Sequence, residues 1–371
     1  MQVNREIKIP LYMQVYESLM EMICQKKWRA GELLPSEREL SLMFNVDRLT
    51  VRRALAMIAQ EGLVEKIAGL GTRVMSASIR PKENHNFRNL IFLLPAVSHK
   101  EISAVRITDP FKADLFFSVE NECKKKGYNL IYTTIGDDED LTEVLEGRGI
   151  CGIFFVSKIH PKFLDEAIRL NFPAVVLNNQ YDLLPSIQIA HEKGAYEAVK
   201  YLIGLNHRHI SFITGIPGYI TARDGFEGYK RALADADIDW KTQIVKEGDW
   251  TFDSGFKAMK EILGEVSSPP SAVFACNDMM AIGAMEAIKA AGYSVPKDIS
   301  VLGFDGIEQS QQCYPTLTTL KVNVATMAAI TCQSLFAAIE SQQLQNIQIL
   351  LPAELVIRES TAPAKEHSFI A

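Results

Sequence analysis

LPSERELSLMFNVDRLTVRRALAMIAQEG, residues 34–62, holds two short helices and the turn between them. Ser36 stands as an N-cap with Glu39 three residues on, the pattern of a capping box. The spacing predicts a helix from about Glu37 to Phe44, a short turn at Asn45 and Val46, and a third helix capped by Asp47. That helix continues to about Glu61, where Gly62 stops it. Leu40, Met43, Val51, Leu55 and Ile58 are the expected core of this unit. Upstream, Leu11, Val15, Leu19, Met22 and Ile23 recur at helical spacing and predict a first helix up to about Lys27. Gly31 and Pro35 break the pattern between them. Downstream, two strands, Leu63–Ile67 and Thr72–Ser76, are joined by Ala68-Gly69-Leu70-Gly71. Helices joined by a tight turn and followed by a hairpin describe a winged helix-turn-helix over residues 1–76, with the third helix facing base edges.

Arg48 and Arg52 are four apart on one face of that helix, with Thr50 beside them. Arg bonds guanine bidentately, and Thr meets a thymine methyl or a phosphate. Arg38, at the start of the second helix, is placed for phosphate. Gly69 and Gly71 around Leu70 let the hairpin tip enter a minor groove. Charge agrees with this reading. Residues 1–88 hold 14 Lys+Arg and 10 Asp+Glu, a net of +4, whereas the whole chain is at -6, so the remainder carries -10. A small basic head on a large acidic body fits a phosphate-binding module attached to something else.

The body has its own rhythm. After a polar linker at 77–88, short apolar strands alternate with helical stretches from about residue 89 onward. The first set is Leu90–Leu94, helix Phe111–Lys126, Asn129–Thr133, helix Leu141–Glu146, Gly152–Val156, helix Pro161–Leu170 and Ala174–Leu177. The rhythm repeats after His191, through Ser300–Phe304. Such alternation means parallel sheets covered by helices, an α/β class, and two halves of similar length mean two lobes. With 371 residues, 47% hydrophobic and 23% charged, the chain is expected to be globular, with two or three domains. Apolar runs look too short for a membrane span. No apolar segment follows the first residues, so cytoplasmic localisation is expected. Cys24, Cys123, Cys151, Cys276, Cys313 and Cys332 are scattered and read as buried free thiols.

In open α/β sheets, ligands sit outside the carboxyl ends of the strands. Those ends carry Ser157 and Lys158, Asn178 and Asn179, Thr214, Asp249 and Trp250, Asn277 and Asp278, and Asp305, with Arg223 at the start of a helix. This chemistry suits a polyol: an Arg fork for vicinal hydroxyls, Asp and Asn as acceptors and donors, and a Trp for a C–H-rich face. Asp278 alone reads as a helix cap, and Trp250 alone as packing.

Two resemblances follow from motifs. Pro10-Leu11-Tyr12-x-Gln14, Leu34-Pro35-Ser36-Glu37-Arg38-Glu39-Leu40, Val46-x-Arg48-x-Thr50-Val51-Arg52-x-Ala54-Leu55, Gly62-Leu63-Val64 and Gly71-Thr72 resemble the GntR-type winged-helix DNA-binding domain. The resemblance implies operator contacts from Arg38, Arg48 and Arg52, assisted by Thr50 and the Gly69–Leu70 tip. Ala30 stands for the usual Pro before Gly31, and Asp47 for the usual Ser or Thr before Arg48. In the body, Asp109-Pro110-Phe111, Lys126-Gly127-Tyr128-Asn129-Leu130, Ala222-Arg223-x-Gly225-Phe226 and Glu247-Gly248-Asp249-Trp250 stand in order. Cys276-Asn277-Asp278, Val301-x-Gly303-Phe304-Asp305 and Pro315-x-Leu317-Thr318-Thr319 follow them. Together they resemble the LacI/GalR-type effector domain, with the periplasmic-binding-protein-like fold, over about 89–361. The resemblance implies that Arg223, Asn277 and Asp305 hydrogen-bond an effector while Phe111 and Trp250 pack on it. Asn178 is the first-lobe polar candidate, although Leu177-Asn178-Asn179-Gln180 departs from the Asp/Arg-containing pattern common there. Trp250, where purine-responsive relatives tend to have Phe, tilts the effector toward a sugar.

The expectations are then a first lobe at about 89–190 plus 321–349, a second at about 191–320 plus 350–361, and a disordered tail at 362–371. The implied partners are operator DNA, a monosaccharide (pentose, deoxyhexose or hexose) and a second copy of the chain in a homodimer. The implied function is control of a sugar-utilisation operon by repression. No cofactor, metal site or catalytic residue is expected. The alternatives are a nucleoside- or purine-responsive regulator, and a constitutive DNA-binding protein. An enzyme is disfavoured. His207-Arg208-His209 lacks a supporting ligand cluster, and no Gly-x-Ser-x-Gly, Walker A or Gly-x-Gly-x-x-Gly motif follows a strand.

Overall fold

The computed structural model describes residues 11–24, 27–60, 63–67, 70–75, 88–96, 109–146, 148–266, 268–341, 343 and 346–365. The chain divides into two compact units, Met1–Asn89 with Leu145–Cys151, and Leu90–Val144 with Gly152–Ala371.

The first unit contains α1 (Leu11–Cys24), α2 (Glu37–Phe44), α3 (Arg48–Gln60) and an antiparallel pair, β1 (Val64–Ile67) and β2 (Gly71–Val74). The capping box forms: the Ser36 hydroxyl oxygen accepts from Glu39 N at 3.3 Å, and the Glu39 carboxylate accepts from Ser36 N at 2.8 Å. Asn45, left-handed at φ 53°, ends α2, and Asp47 accepts from Thr50 N at 2.8 Å to start α3. Val15, Leu19, Leu40, Phe44, Val51, Ala54, Leu55 and Ile58 are buried together with Val64 and Val74. Met43, expected in this core, is exposed, because Leu40 and Phe44, four apart, already fill the inward stripe of α2. Leu33 bridges to Arg73 and extends the hairpin by one residue pair. Of the 77–88 linker, only residue 88 is among the described residues.

The body is built on two six-stranded sheets. The first sheet takes β3 (Asn89–Pro95), β4 (Asn129–Ile135), β5 (Ile150–Val156), β6 (Ala174–Leu177), β7 (Ser186–Ile189) and β13 (Gln348–Leu351), in the order β13-β7-β6-β5-β3-β4. The helices that go with it are α4 (Pro110–Lys125), α5 (Leu141–Leu145), α6 (Pro161–Arg169) and α12 (Val324–Ser341). The second sheet takes β8 (Ile210–Thr214), β9 (Val245–Glu247), β10 (Ala272–Ala275), β11 (Ser300–Asp305), β12 (Thr318–Val322) and β14 (Ala353–Val356). Its order is β14-β12-β11-β10-β8-β9, with α7 (His191–Gly204), α8 (Ile220–Ala234), α9 (Phe252–Gly264), α10 (Asp278–Ala290) and the short α11 (Gln309–Gln312). β14 runs antiparallel to β12, while β8, β10, β11 and β12 run parallel. Every residue of β5, β6 and β10 is buried, as parallel strands covered on both faces require.

The chain passes between sheets at Ala190, Asn323 and Pro352. The last two passages come later than the lobe bounds of 320/321 and 349/350 expected from sequence. Lys321 and Val322 still pair with Glu354 and Ala353, and Leu350 and Leu351 still pair with Gln188 and Ile189. Helices meet at backbone distance over the second sheet. A Cβ on Gly228 would lie 2.1 Å from the Glu192 carbonyl oxygen of α7, and one on Gly283 would lie 2.1 Å from the Phe252 carbonyl oxygen of α9.

Three sequence expectations are corrected. α12 has 18 residues at a mean hydropathy of 1.3, long and apolar enough to span a membrane by length and composition alone. Its Met327, Thr331, Cys332, Leu335 and Phe336 are buried, and it packs on α4, β6 and β7, which is the pattern of a core helix. Residues 362–365 of the expected disordered tail are fastened to the second lobe. Ala362 N donates to the Ser300 hydroxyl at 3.0 Å, Ala364 N to the Leu205 carbonyl at 2.8 Å, and Lys365 pairs with Asp298 at 2.5 Å. Residues 366–371 lie outside the described residues. Cys313 is half-buried, whereas Cys123, Cys151, Cys276 and Cys332 are buried free thiols; Cys24 has no described side chain.

Candidate functional site

In the first unit, Arg38 and Arg48 are exposed at the starts of α2 and α3. Arg52 is also exposed, but Glu37 holds it: Nη2 donates to the Glu37 carboxylate at 2.8 Å, and Lys66 of β1 pairs with the same carboxylate at 3.1 Å. The hydrogen bond from Arg52, helped by Lys66 and opposed by burial, lowers the Glu37 carboxyl to about 2. One carboxylate thus ties α2, α3 and the hairpin together. The Thr50 hydroxyl donates to Asp47 at 2.8 Å, so it serves the helix cap. The Arg53 guanidinium lies 3.8 Å from the centre of the Tyr12 ring, turned toward α1. Leu70 is 67% exposed at the hairpin tip. Gly69 lies outside the described residues.

In the body, the carboxyl ends of the strands are marked by backbone conformation. Ser157 (φ 66°), Asn178 (φ 51°), Trp250 (φ 66°) and Asp305 (φ 110°) all have positive φ without being glycine. Residues held this way cost on the order of 1–3 kcal/mol each and cluster where a site must be held in shape. Asn178 is half-buried and accepts from His191 Nε2 at 3.4 Å. His191, at the start of α7, stacks on Phe304 with ring centres 4.8 Å apart, and burial lowers it to about 4, so it is neutral.

Trp250 lies over Gly215, where a Cβ would come 2.5 Å from its ring, and meets Tyr219 edge to face at 4.7 Å. Asn277 is buried. Its Oδ1 caps α10 by accepting from Met280 N at 2.9 Å, and its Nδ2 donates to the Trp250 carbonyl at 3.0 Å. It therefore positions Trp250, with one amide hydrogen beyond these bonds. The helix-capping role read for Asp278 falls to Asn277 instead. Asp278, one residue further on, points its carboxylate at the segment after β11, accepting from Gly306 N at 2.8 Å and Ile307 N at 2.9 Å.

Phe111 is buried in the first turn of α4, which Asp109 caps. Lys112 follows it, mostly buried, 3.6 Å from Asp109. Burial pushes the Lys112 amine down, with Asp109 and Asp305 opposing. Burial pushes the Asp305 carboxyl well up, with Asp278 and Asp109 adding to this and Lys112 opposing it. Groups from the two lobes therefore lie within electrostatic reach of one another. Asp114 of α4 is raised by burial and by Glu308 of the second lobe.

A cavity of about 880 Å³ is lined by residues 179–183 of the first lobe and by Gly218, Tyr219, Ile220 and Arg223 of the second. Lys158 lies 5.2 Å over the Tyr219 ring and joins the lobes at its edge. Of the six residues expected from sequence, Arg223 lines this cavity, 65% exposed and paired with Asp224. Trp250 and Asn277 form a bonded group that meets the cavity through Tyr219. Phe111 and Asp305 belong with Lys112 and Asp109, and Asn178 with His191. Lys112, Tyr219 and His191 were not foreseen. Lys112 directly follows the Asp109-Pro110-Phe111 motif and Tyr219 lies four residues before Arg223, but neither has a distinguishing pattern of its own. Among the described residues, no group of three or more His, Cys, Asp or Glu could hold a metal ion. His207 is buried and bonds the Ala362 carbonyl through Nε2 at 2.9 Å.

Comparison with known proteins agrees with both halves. Residues 11–74 match the model of bacterial regulatory proteins of the gntR family, and residues 199–361 match that of the periplasmic binding protein-like domain. The "Probable HTH-type transcriptional repressor ExuR" of Bacillus subtilis (strain 168) is 33% identical over 337 residues, covering 87% of this chain and 97% of that relative. The chain belongs to the LacI/GalR type of HTH-type transcriptional repressors. Within that family its head is of the gntR kind, and its relatives are transcriptional repressors, not enzymes. Two solved structures share the fold of the body. A LacI family transcriptional regulator from Enterococcus faecium, with bound ribose, aligns at a TM-score of 0.67 and 23% identity, over 75% of this chain and 100% of that one. The transcriptional regulator CelR in complex with cellobiose aligns at 0.66 and 21%, over 88% and 100%. This repressor therefore pairs a helix-turn-helix head of the gntR kind with a periplasmic binding protein-like body.

Proposed function

We propose that the chain represses a sugar-utilisation operon, and that a monosaccharide bound between the lobes controls its grip on operator DNA. In this reading it acts in the cytoplasm as a homodimer that places two heads on a palindromic site. Arg38, Arg48, Arg52, Thr50 and the hairpin tip at Gly69 and Leu70 contact DNA. Arg223, Asp305 and Asn178 hydrogen-bond the sugar, Phe111 and Trp250 pack on it, and Asn277 acts mainly by fixing Trp250. Lys112 joins the polar set.

The observation that carries the reading is the meeting of groups from both lobes at the strand ends. Asp109 and Lys112 come from the first lobe and Asp305 from the second; burial moves the Asp305 carboxyl up and the Lys112 amine down, and the charges of the facing lobe act on both, next to an aromatic pair formed by Trp250 and Tyr219. Hydroxyl groups suit a site with acceptors, donors and a C–H-binding face. The ribose and cellobiose held by the two fold neighbours support the same class of ligand. The test is calorimetry on the full chain with a panel of pentoses, deoxyhexoses, hexoses and nucleosides. One sugar is expected to bind, Trp250→Ala to weaken it, and Arg223→Ala to weaken it more. Binding confined to nucleosides, or unchanged affinity in Arg223→Ala, would overturn the assignment.

A further inference from the structure

On α3, Val51, Ala54, Leu55 and Ile58 are buried. At about 100° per residue, the direction opposite them falls on Leu49, with Ala56 beside it two turns on and Arg52 and Arg53 on either flank. Leu49 is 74% exposed, in the first turn after the Asp47 cap. Its two flanking cations are engaged on the head's own surface, Arg53 against Tyr12 and Arg52 against Glu37. The centre of the outward face is therefore a leucine with a small exposed alanine behind it, not an arginine.

A single exposed leucine is ordinary on a protein surface. This one stands on the turn that a helix-turn-helix lays against base edges, where the C5-methyl of thymine is the apolar feature among donors and acceptors. A polar edge facing Leu49 would give up its water without a replacement hydrogen bond, whereas a methyl loses nothing.

Resting on the reading of α3 as the DNA-facing helix, we propose that Leu49 reads a thymine methyl in each operator half-site and sets a base preference that the arginines do not. The full chain is first used to select its operator from a random duplex library. Each thymine of that site is then replaced by deoxyuridine, which removes the methyl and leaves the hydrogen-bonding edge unchanged. Binding is measured by fluorescence anisotropy. One thymine per half-site is expected to matter, its replacement weakening wild-type binding about fourfold, the equivalent of the roughly 0.8 kcal/mol of a buried methyl-sized group. Leu49→Ala is expected to keep its melting temperature, since the side chain is exposed, and to bind thymine and uracil sites alike. An operator in which no thymine replacement alters wild-type binding overturns the inference, as does a methyl effect that persists in Leu49→Ala. Arg48→Ala and Arg52→Ala separate the two levels. If both keep full sequence discrimination, α3 is not the reader and the inference falls with that reading. If they lose it while the methyl cycle is flat, the assignment of Leu49 alone is wrong.

Discussion

Replacing Asp278 tests how the proposed effector site is held together. Its side chain is fully buried, accepting from Gly306 N and Ile307 N through Oδ2 and from the Thr319 hydroxyl through Oδ1 at 2.5 Å. It thereby fixes the segment that follows Asp305. Asp278→Ala strands two backbone donors that cannot turn away, while the Thr319 hydroxyl can rotate. At about 1–3 kcal/mol for each unsatisfied buried group, the loss comes to roughly 2–6 kcal/mol. Asp278→Asn behaves differently: its carbonyl oxygen keeps both backbone donors, and its amide donates to a rotated Thr319. What changes is the charge. Burial raises the Asp278 carboxyl to about 7, against the pull of those hydrogen bonds. Its unfolded value is about 3.9. Folding therefore favours the protonated form, and this contribution is present below about pH 4 and is lost as pH rises toward 7. Asp278→Asn is accordingly expected to gain stability relative to wild type between pH 5 and pH 8. Urea unfolding of the full chain, followed by tryptophan fluorescence at both pH values, measures this. A loss below about 1 kcal/mol in Asp278→Ala, or a wild-type to Asn difference that does not change with pH, would refute the account.

Glu37→Gln removes the shared partner of Arg52 and Lys66. Operator affinity is expected to rise, because a carboxylate leaves the DNA-facing side and Arg52 is released; the stability loss at pH 7 is expected to stay below about 1 kcal/mol, since the pair is exposed. Anisotropy and thermal melting measure the two effects. Gly228→Ala forces a methyl against the Glu192 carbonyl oxygen and is expected to cost about 1–3 kcal/mol, with retained stability arguing against backbone contact between α7 and α8. His191, lowered to about 4 by burial, opposes acid: its neutral form contributes full stability above about pH 6.5, and this is lost as pH falls toward 4. His191→Gln is expected to lose less stability than wild type between pH 7 and pH 5, and parallel melting curves would contradict this.

The head was legible almost residue by residue because its signals are local. A capping box, a left-handed Asn45, an Asp cap and a glycine-bracketed hairpin each specify their own turn. Met43 shows the limit. Periodicity places it near the core stripe, but α2 has only eight residues and Leu40 and Phe44 take the available space. In the body, strand and helix alternation revealed the layers, while β7, β13 and β14 carried no signal that stood out. β13 and β14 are short edge strands with no fully buried residue, recognisable only by what they pair with. The site was legible as a set of strand ends but not as a geometry. Nothing in the sequence says that Asn277 spends its amide on Trp250, because that depends on how loops of one lobe pack, or that Lys112 lies near an aspartate 193 positions away, because that is set by how the lobes face each other.

The proposed coupling between sugar and operator would follow from where the body can and cannot give. Helices that touch at backbone distance and sheets covered on both faces resist internal change, so the proposed closure is assigned to Ala190, Asn323 and Pro352, where the chain passes between lobes. His191 adjoins one of them and is engaged with Asn178 of the first lobe and Phe304 of the second. Across the cleft, Asp109 and Lys112 of the first lobe act on the Asp305 carboxyl of the second, and Glu308 acts on Asp114. In the proposed function, a sugar that touches both lobes binds the closed arrangement better than the open one, and that difference is all it can spend on moving the equilibrium. Couplings of this kind are typically about 1–3 kcal/mol, or roughly 5- to 150-fold in affinity. Release from DNA is the expected sign. Linkage makes the effect reciprocal, so saturating operator must weaken sugar binding by the same factor by which sugar weakens operator binding. Titrating sugar into the full chain with and without operator measures both arms. Identical dissociation constants would refute the coupling while leaving each binding site in place.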